Sequence, residues 1–335
     1  MDEAERTAEY RKEPTEEATL AALNRHLEPL QRTLEQEFGR PRLPVVFIIG
    51  APRSGTTLAS QCLAYGSNLG YISNFVARFW RAPLVGARLE RTLNIREALP
   101  IEGFSSEHGV TAGLSSPHEF GYFWSGWFDL GQDTHRLSEA ELAKVDHAGM
   151  ARRIAALESF YGAPMSFKNN TWCTFQASYL HRHFPDALFL VCRRKPIFIA
   201  QSMLRARRRR LGGEQQWWSV RPSSYRRLLG LPWWQQVVGQ AIDIEREMDE
   251  ALRGVRPDRI IEVEYQKLCA RPSTLVEAVR ERLQGSGFTV QNTRELPERF
   301  QHTDVQQVPD GDWQLLNEAL RTAGQWHGTG GSAST

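Results

Sequence analysis

Apolar side chains recur every three or four positions near the start of the chain, at Leu20, Leu23, Leu27, Leu30 and Leu34, with Phe38 extending the row. This is the period of one helix face. A helix is predicted from Glu16 to Glu37, closed by Gly39 and Pro41. Such a leucine row packs on the body of a domain or, as the alternative, pairs two copies of the chain in a homodimer. The pattern then changes. Val45-Val46-Phe47-Ile48-Ile49 is a continuous, largely β-branched run, as expected of a strand buried on both faces of a parallel sheet. It ends at Gly50, and a helix is predicted to start near Gly55. Ala187–Cys192 is a second such run, followed after Arg193-Arg194 by a helix-compatible stretch from Pro196 to Leu204. Arg259–Val263 is a third, and Pro164-Met165-Ser166-Phe167 is strand-like.

Short apolar runs separated by helical stretches indicate βαβ units. The predicted fold is α/β: a three-layer α/β/α domain with a central, mostly parallel sheet. The chain divides into a helical segment at 1–40, one domain at 41–325 and a flexible Gly/Ser/Thr-rich tail at 326–335. Residues of about 70–160 are richer in Gly, Ser and aromatics and read as an insertion of helices and loops forming a lid or wall.

Composition narrows the function. The chain has 335 residues, 41% of them hydrophobic and 24% charged, with a net charge of +2. That length buries an ample core. The near-neutral balance gives no global drive toward nucleic acid or anionic membrane, so any anion site is local. Cys62, Cys173, Cys192 and Cys269 are widely spaced, which argues against a disulfide framework or a zinc site and for a reducing, cytoplasmic setting. The charged stretch Met1–Lys12 argues against a secretory signal, and Val45–Ile49 is too short to span a bilayer.

The chemistry begins where the first strand ends. Gly50-Ala51-Pro52-Arg53-Ser54-Gly55-Thr56-Thr57 has the Gly-x-x-x-x-Gly spacing of a P-loop. Glycines let backbone N–H groups turn inward, and a following helix start favours an anion. The ATP-binding form places Lys directly after the second glycine. Thr56 stands there instead, and the cation has moved back to Arg53. That suits a donor whose reacting group is a sulfonyl on a single 5′-phosphate.

Pro-Arg-Ser-Gly-Thr-Thr after a buried strand resembles the sulfotransferase family that uses 3′-phosphoadenosine 5′-phosphosulfate as donor. The likeness is to bacterial-type or tyrosylprotein- and heparan-like branches rather than to cytosolic members. It implies that Pro52, Arg53, Ser54, Gly55, Thr56 and Thr57 cradle the phosphosulfate. A second motif agrees. Arg194 ends the second apolar run, Pro196 follows, and Ser202 lies eight residues beyond Arg194. In the family this pair binds the 3′-phosphate: Arg offers a bidentate fork and Ser a hydroxyl. Val263-Glu264-Tyr265-Gln266-Lys267-Leu268 is similar to a later family stretch and implies that Tyr265 lies near the adenine. Gly311-Asp312-Trp313 is similar to the end of a C-terminal phosphate loop, but Gln306-Gln307-Val308 stands where Arg-Lys-Gly should precede it.

Sulfonyl transfer needs an in-line acceptor oxygen and cations at the leaving phosphate. Arg53 is the first candidate cation. Lys168 is the second, by resemblance to the family's Lys upstream of the Arg strand. Cytosolic members continue that Lys to a catalytic His two residues on; Asn170 stands there and cannot take a proton. The base is sought in Ser115–Trp124, where titratable groups lie beside dense aromatics that raise a carboxylate's pKa. Glu119 is the first choice, His118 the second, His108 the third. Phe120, Tyr122, Phe123, Trp124, Trp127, Phe128, Trp217-Trp218 and Trp233-Trp234 are mostly core, or else an apolar wall for a lipid-like or aromatic small-molecule acceptor. Arg205 and Arg207–Arg210 read as a solvated helix end, one of them alternatively replacing the missing phosphate contact. No metal is expected, and the product is adenosine 3′,5′-bisphosphate. The rival readings are a small-molecule kinase, opposed by Thr56, and a non-catalytic nucleotide-binding relative, suggested by Asn170.

Overall fold

The computed structural model describes residues 6–101, 103–107 and 109–327; of the expected tail at 326–335, residues 326 and 327 end a helix, and 328–335 lie outside the described residues. Five strands form the central sheet: β1 Val46–Gly50, β2 Gly70–Tyr71, β3 Met165–Lys168, β4 Leu188–Arg193 and β5 Ile260–Glu264. Their order is β2-β3-β1-β4-β5, and every neighbouring pair is parallel. The three predicted apolar runs are β1, β4 and β5, each starting one residue later than its sequence run. Val45 still belongs to the ladder, since its carbonyl accepts from Leu188 N at 2.8 Å. β2 is a two-residue edge strand, too short for any period to reveal.

All five residues of β1 are buried, which explains its unbroken apolar run. Phe47 faces one side, with Trp124, Phe167 and Phe189. Val46 and Ile48 face the other, with Ala59, Leu63 and Val263. Burying each large side chain contributes roughly 1.5–3 kcal/mol. Helices supply the outer layers. They include α1 Pro14–Glu35, α2 Thr56–Gly66, α3 His147–Tyr161, α4 Pro196–Leu211, α5 Trp233–Leu252 and α6 Asp310–His327. A third apolar cluster joins α4, α5 and α6 through Met203, Val237, Ile244 and Leu316. The insertion between β2 and β3 holds the helices Pro83–Thr92, Ile95–Ala98 and Gly121–Ser125, α3, and a two-strand hairpin, Ser106–Glu107 with Val110–Thr111.

α1 departs from expectation. It starts at Pro14, because the Glu13 carboxylate accepts from Thr15 N at 3.0 Å and Glu16 N at 2.5 Å. Its buried residues are Asn24, Gln31 and Glu35, not the leucines. Leu23 and Leu30 are 39% and 48% exposed. None of the five leucines enters the three apolar clusters of the described residues. The reason lies in what α1 packs on. The turn at 78–84 leads into a helix start, whose backbone groups need partners. Asn24 donates to Arg78 O at 2.7 Å and accepts from Arg81 N at 2.8 Å, while Gln31 Oε1 accepts from Leu84 N at 3.0 Å. Glu35 pairs bidentately with Arg153 of α3, at 2.8 and 2.9 Å, both side chains nearly buried.

Replacing Glu35 by Ala strands the Arg153 charge in a dry site. We expect about 3–5 kcal/mol of lost stability, read from urea unfolding, with Glu35→Gln losing less.

Candidate active site

The loop between β1 and α2 is shaped by contacts that exclude larger side chains. A Cβ on Gly50 would stand 2.6 Å from Ser54 Oγ and 2.7 Å from the Cys192 carbonyl of β4. Gly55 has φ +100° and would drive a Cβ to 2.8 Å from the Tyr265 ring. Between them Arg53, a non-glycine residue, takes φ 72°, a conformation that is uncommon outside functional turns. The first turn of the eleven-residue α2 opens onto this loop through Thr56 and Thr57. Its unbonded N–H groups make the loop a place for an anion.

Arg53, Arg194, Ser202 and Tyr265 converge there. Arg53 Nε donates to Ser202 Oγ at 3.0 Å, and Arg194 Nη1 donates to the Arg53 carbonyl at 2.8 Å. The Arg194 guanidinium lies over the Tyr265 ring, 4.3 Å from its centre. A cavity of about 240 Å³ opens beside Arg194, Lys195 and Tyr265. Burial, and then the neighbouring charge of Arg194, push the Arg53 guanidinium down to about 10; Arg210 and Arg205 act in the same sense. No carboxylate is paired with Arg53 among the described residues. Arg193, next to Arg194, does the opposite: it turns to Glu245, Asp249 and Glu262, which raise its pKa.

A second cluster sits at the end of β3. Lys168 is buried and ion-paired with Glu119, whose side chain is 44% exposed. Burial, and then the charge of Arg53, push the Lys168 ammonium down to about 7. Gly109, at the hairpin tip, roofs the pair: its Cβ position is 3.0 Å from Glu119 Oε1 and 3.8 Å from both Lys168 Nζ and Thr57 Oγ1. The turn carrying Glu119 is fixed on both sides. His118 Nδ1 accepts from Phe120 N at 2.8 Å, and Asn169 donates to the Glu119 carbonyl at 3.0 Å. With Nδ1 accepting, neutral His118 carries its proton on Nε2. The residue is exposed to solvent, yet desolvation by the atoms packed around its ring, then the charge of Lys168, lower its pKa to about 4. His108 lies outside the described residues. Asn170 bridges the Ala51 carbonyl and Thr56 Oγ1 at 3.3 and 3.2 Å. Ser54 Oγ and Asn170 Oδ1 are buried without a partner among the described residues. No group of His, Cys, Asp and Glu there could hold a metal.

Residues 44–289 match the model of the sulfotransferase family. The chain belongs to that family. It is therefore a sulfotransferase, an enzyme of sulfonyl transfer. Among solved structures it is similar to sulfotransferase STF1 from Mycobacterium tuberculosis H37Rv, at 13% identity over 91% of this chain and 76% of that one, with a TM-score of 0.45. It is also similar to STF9 from Mycobacterium avium, at 14% identity over 78% and 69% with a TM-score of 0.48. A third likeness is to the sulfotransferase domain of the Synechococcus PCC 7002 olefin synthase, at 19% identity over 74% of each chain with a TM-score of 0.36. No curated protein matches the chain.

Two expectations about this sulfotransferase change. The basic run ending α4 is not simply a solvated helix end. Arg207 is fully buried and donates to Gln236, Gln240 and the Glu214 carbonyl, and burial lowers its pKa to about 9. Gly311-Asp312-Trp313 belongs to the first turn of α6, where Asp312 pairs with Arg208, rather than to a phosphate loop. Residues that the sequence reading passed over also enter the site. Thr303 and Asp304 bond Arg194, and Gln201 bonds the backbone of Val305 and Gln307. Asp304 is 110 positions from Arg194, so no local spacing announces the pair. Asn169, which donates to the Glu119 carbonyl, carries no motif of its own in the sequence.

Gly55→Ala should lower stability by about 1–3 kcal/mol in a denaturant titration, because it adds both a left-handed strain and a clash with Tyr265. Tyr265→Ala in the same chain should recover only the part due to the clash.

Proposed function

We propose that this sulfotransferase moves the sulfonyl group of 3′-phosphoadenosine 5′-phosphosulfate to a hydroxyl of a small aromatic or lipid-like acceptor. The observation that carries the donor is Arg53: a half-buried cation without a carboxylate partner among the described residues, set in an anion-binding loop and feeling the charges of Arg194, Arg210 and Arg205. Such a cluster calls for a multiply charged anion. In this reading the N–H groups of Gly55 to Thr57 and the Ser54 hydroxyl hold the 5′ end, Arg194 and Ser202 the 3′-phosphate, and Tyr265 the adenine edge. Pro52 holds the turn.

Glu119 is the base. It is exposed enough to meet the acceptor and, through Lys168, close to the loop. Its carboxylate takes the acceptor's hydroxyl proton as the acceptor oxygen bonds to sulfur and the bond from sulfur to the 5′-phosphate oxygen breaks. The negative charge arriving on that oxygen is met by the Lys168 ammonium and the loop N–H groups. His118, with Nδ1 committed to Phe120 N, is the positioning residue of the turn rather than the base. For the acceptor, Tyr122, close to Glu119 in sequence, is 44% exposed, and its ring lies tilted against Trp80 with centroids 4.7 Å apart. Phe120, Phe123, Trp124 and Phe128 are core. Four buried, free cysteines support a reducing, cytoplasmic setting, and no helix among the described residues is long and apolar enough to cross a membrane.

Adenosine 3′,5′-bisphosphate should raise the melting temperature, and ATP with Mg²⁺ should not. At a hundred times Kd a ligand adds about 2.7 kcal/mol, well within reach of a thermal shift. Stabilisation by ATP alone would sink the donor reading. Glu119→Gln should cut kcat by about 10²–10⁴ with bisphosphate binding retained; unchanged turnover removes Glu119 as base. Since Lys168 acts charged and is held near a pKa of about 7, kcat should fall as pH rises through that value. Lys168→Arg should move this alkaline limb upward even at a lower overall rate.

A further inference from the structure

Each of the three nitrogens of the Arg194 guanidinium donates to an internal acceptor. Nε donates to Asp304 Oδ1 at 2.6 Å, Nη2 to Thr303 Oγ1 at 2.9 Å, and Nη1 to the Arg53 carbonyl at 2.8 Å. The Nε–Nη2 edge is one that grips an oxyanion through two parallel bonds. A threonine hydroxyl and a carboxylate on consecutive residues fill it. The pair is dry: the Arg194 and Asp304 side chains are 5% and 1% exposed. Ser202 is likewise engaged, by Arg53. Both groups assigned to the donor's 3′-phosphate thus already make contacts within the protein, and the oxyanion-gripping edge of Arg194 is filled.

The segment that delivers the carboxylate has few ties. Residues 301–308 form neither helix nor strand, and Thr303, Val305, Gln306 and Gln307 are exposed. Gln201 of α4 anchors Val305 and Gln307 by their backbone, at 2.9 and 2.7 Å. Upstream of that anchor, Thr303 is bonded through Tyr265 OH and Arg194, and Asp304 N donates to His302 Nδ1 at 3.3 Å. Among the described residues, the hydrogen bonds of 302–304 to the rest of the protein therefore end on Arg194 and Tyr265, both proposed to contact the nucleotide. Val308, buried, and the start of α6 fix the downstream end.

We infer that Asp304 is a built-in competitor of the 3′-phosphate: its carboxylate and the phosphate contend for one edge of Arg194, and nucleotide binding swings residues 302–304 outward. This rests on the reading of Arg194 as the 3′-phosphate ligand. Two anions cannot share the same N–H pair, and a phosphate placed beside a retained carboxylate is repelled by it. Removing either anion without replacement would leave Arg194 buried and unpaired, so the exchange keeps the cation neutralised throughout. The competitor also sets an upper limit on product affinity. The bisphosphate leaves as the carboxylate returns, which speeds its release.

The test compares Asp304→Asn with the wild-type chain by calorimetric titration of adenosine 3′,5′-bisphosphate and of AMP, which lacks the 3′ group. The expected result is tighter bisphosphate binding in the variant, on the order of tenfold, with AMP affinity little changed. Unchanged or weaker bisphosphate binding overturns the inference; weaker binding would make Asp304 an orienting partner of Arg194 instead. Hydrogen exchange on the wild-type chain gives a readout that needs no variant. Saturating bisphosphate should speed exchange at the amides of 303–305, and equal or slower exchange there overturns the inference. If wild-type affinities for bisphosphate and AMP are equal, or neither nucleotide binds, the reading of Arg194 fails first and the competitor with it.

Discussion

Five strands running in one direction place all their carboxyl ends at one edge, and that constraint makes the site. The register sets Ile48 opposite Lys168, Gly50 opposite Cys192 and Arg193 opposite Glu264. Residues far apart along the chain therefore leave the sheet side by side. Lys168 ends β3, Arg194 follows β4 and Tyr265 follows β5, all beside the loop after β1. An open α/β sheet binds its ligand at the carboxyl ends of its strands. Here the steric closeness of Gly50 to the β4 backbone brings that crevice down to a single loop.

The arginines show how one residue type serves two ends. Arg193 sits among three carboxylates and Arg207 among side-chain amides, so each is neutralised or solvated by the fold itself. Arg53 lies among cations. Desolvating a cation in the company of cations costs stability, and the compact loop persists because the sheet and α2 hold it. The depressed pKa values of Arg53 and Lys168 have this common origin. Both are positive groups kept out of water within one small volume.

Much of this was legible in the sequence. β1 and β4 announced themselves because burial on both faces leaves no polar position to blur the run; β5, at the sheet edge, buries Ile261 and Val263 but exposes Glu262 and Glu264, and its run is correspondingly broken. Gly50 and Gly55 could be placed together from sequence because one loop sets their spacing, and Arg194 and Ser202 because a fixed offset carries from the end of β4 into α4. What stayed hidden depends on distance. Asp304 meets Arg194 only after the chain has folded, and Gln201 reads backbone atoms that carry no side-chain signature. The basic run misled because four neighbouring arginines look alike in sequence; only packing separates buried Arg207 from the rest. The leucine row misled in the opposite way, since periodicity reports a face but not what that face touches.

α1 turns this last point into a mechanical consequence. A helix held by grease can slide by a turn along its support and lose little, because one methyl resembles another. A helix held by Asn24, Gln31 and Glu35 cannot, since each amide or carboxylate must find its own backbone atom or guanidinium. The contact works like a keyed joint. It fixes where the chain leaves α1, and so the point from which residues 36–45 must reach β1. The depth at which Gly50 arrives at the sheet edge is thus indexed from outside the core as well as from within it.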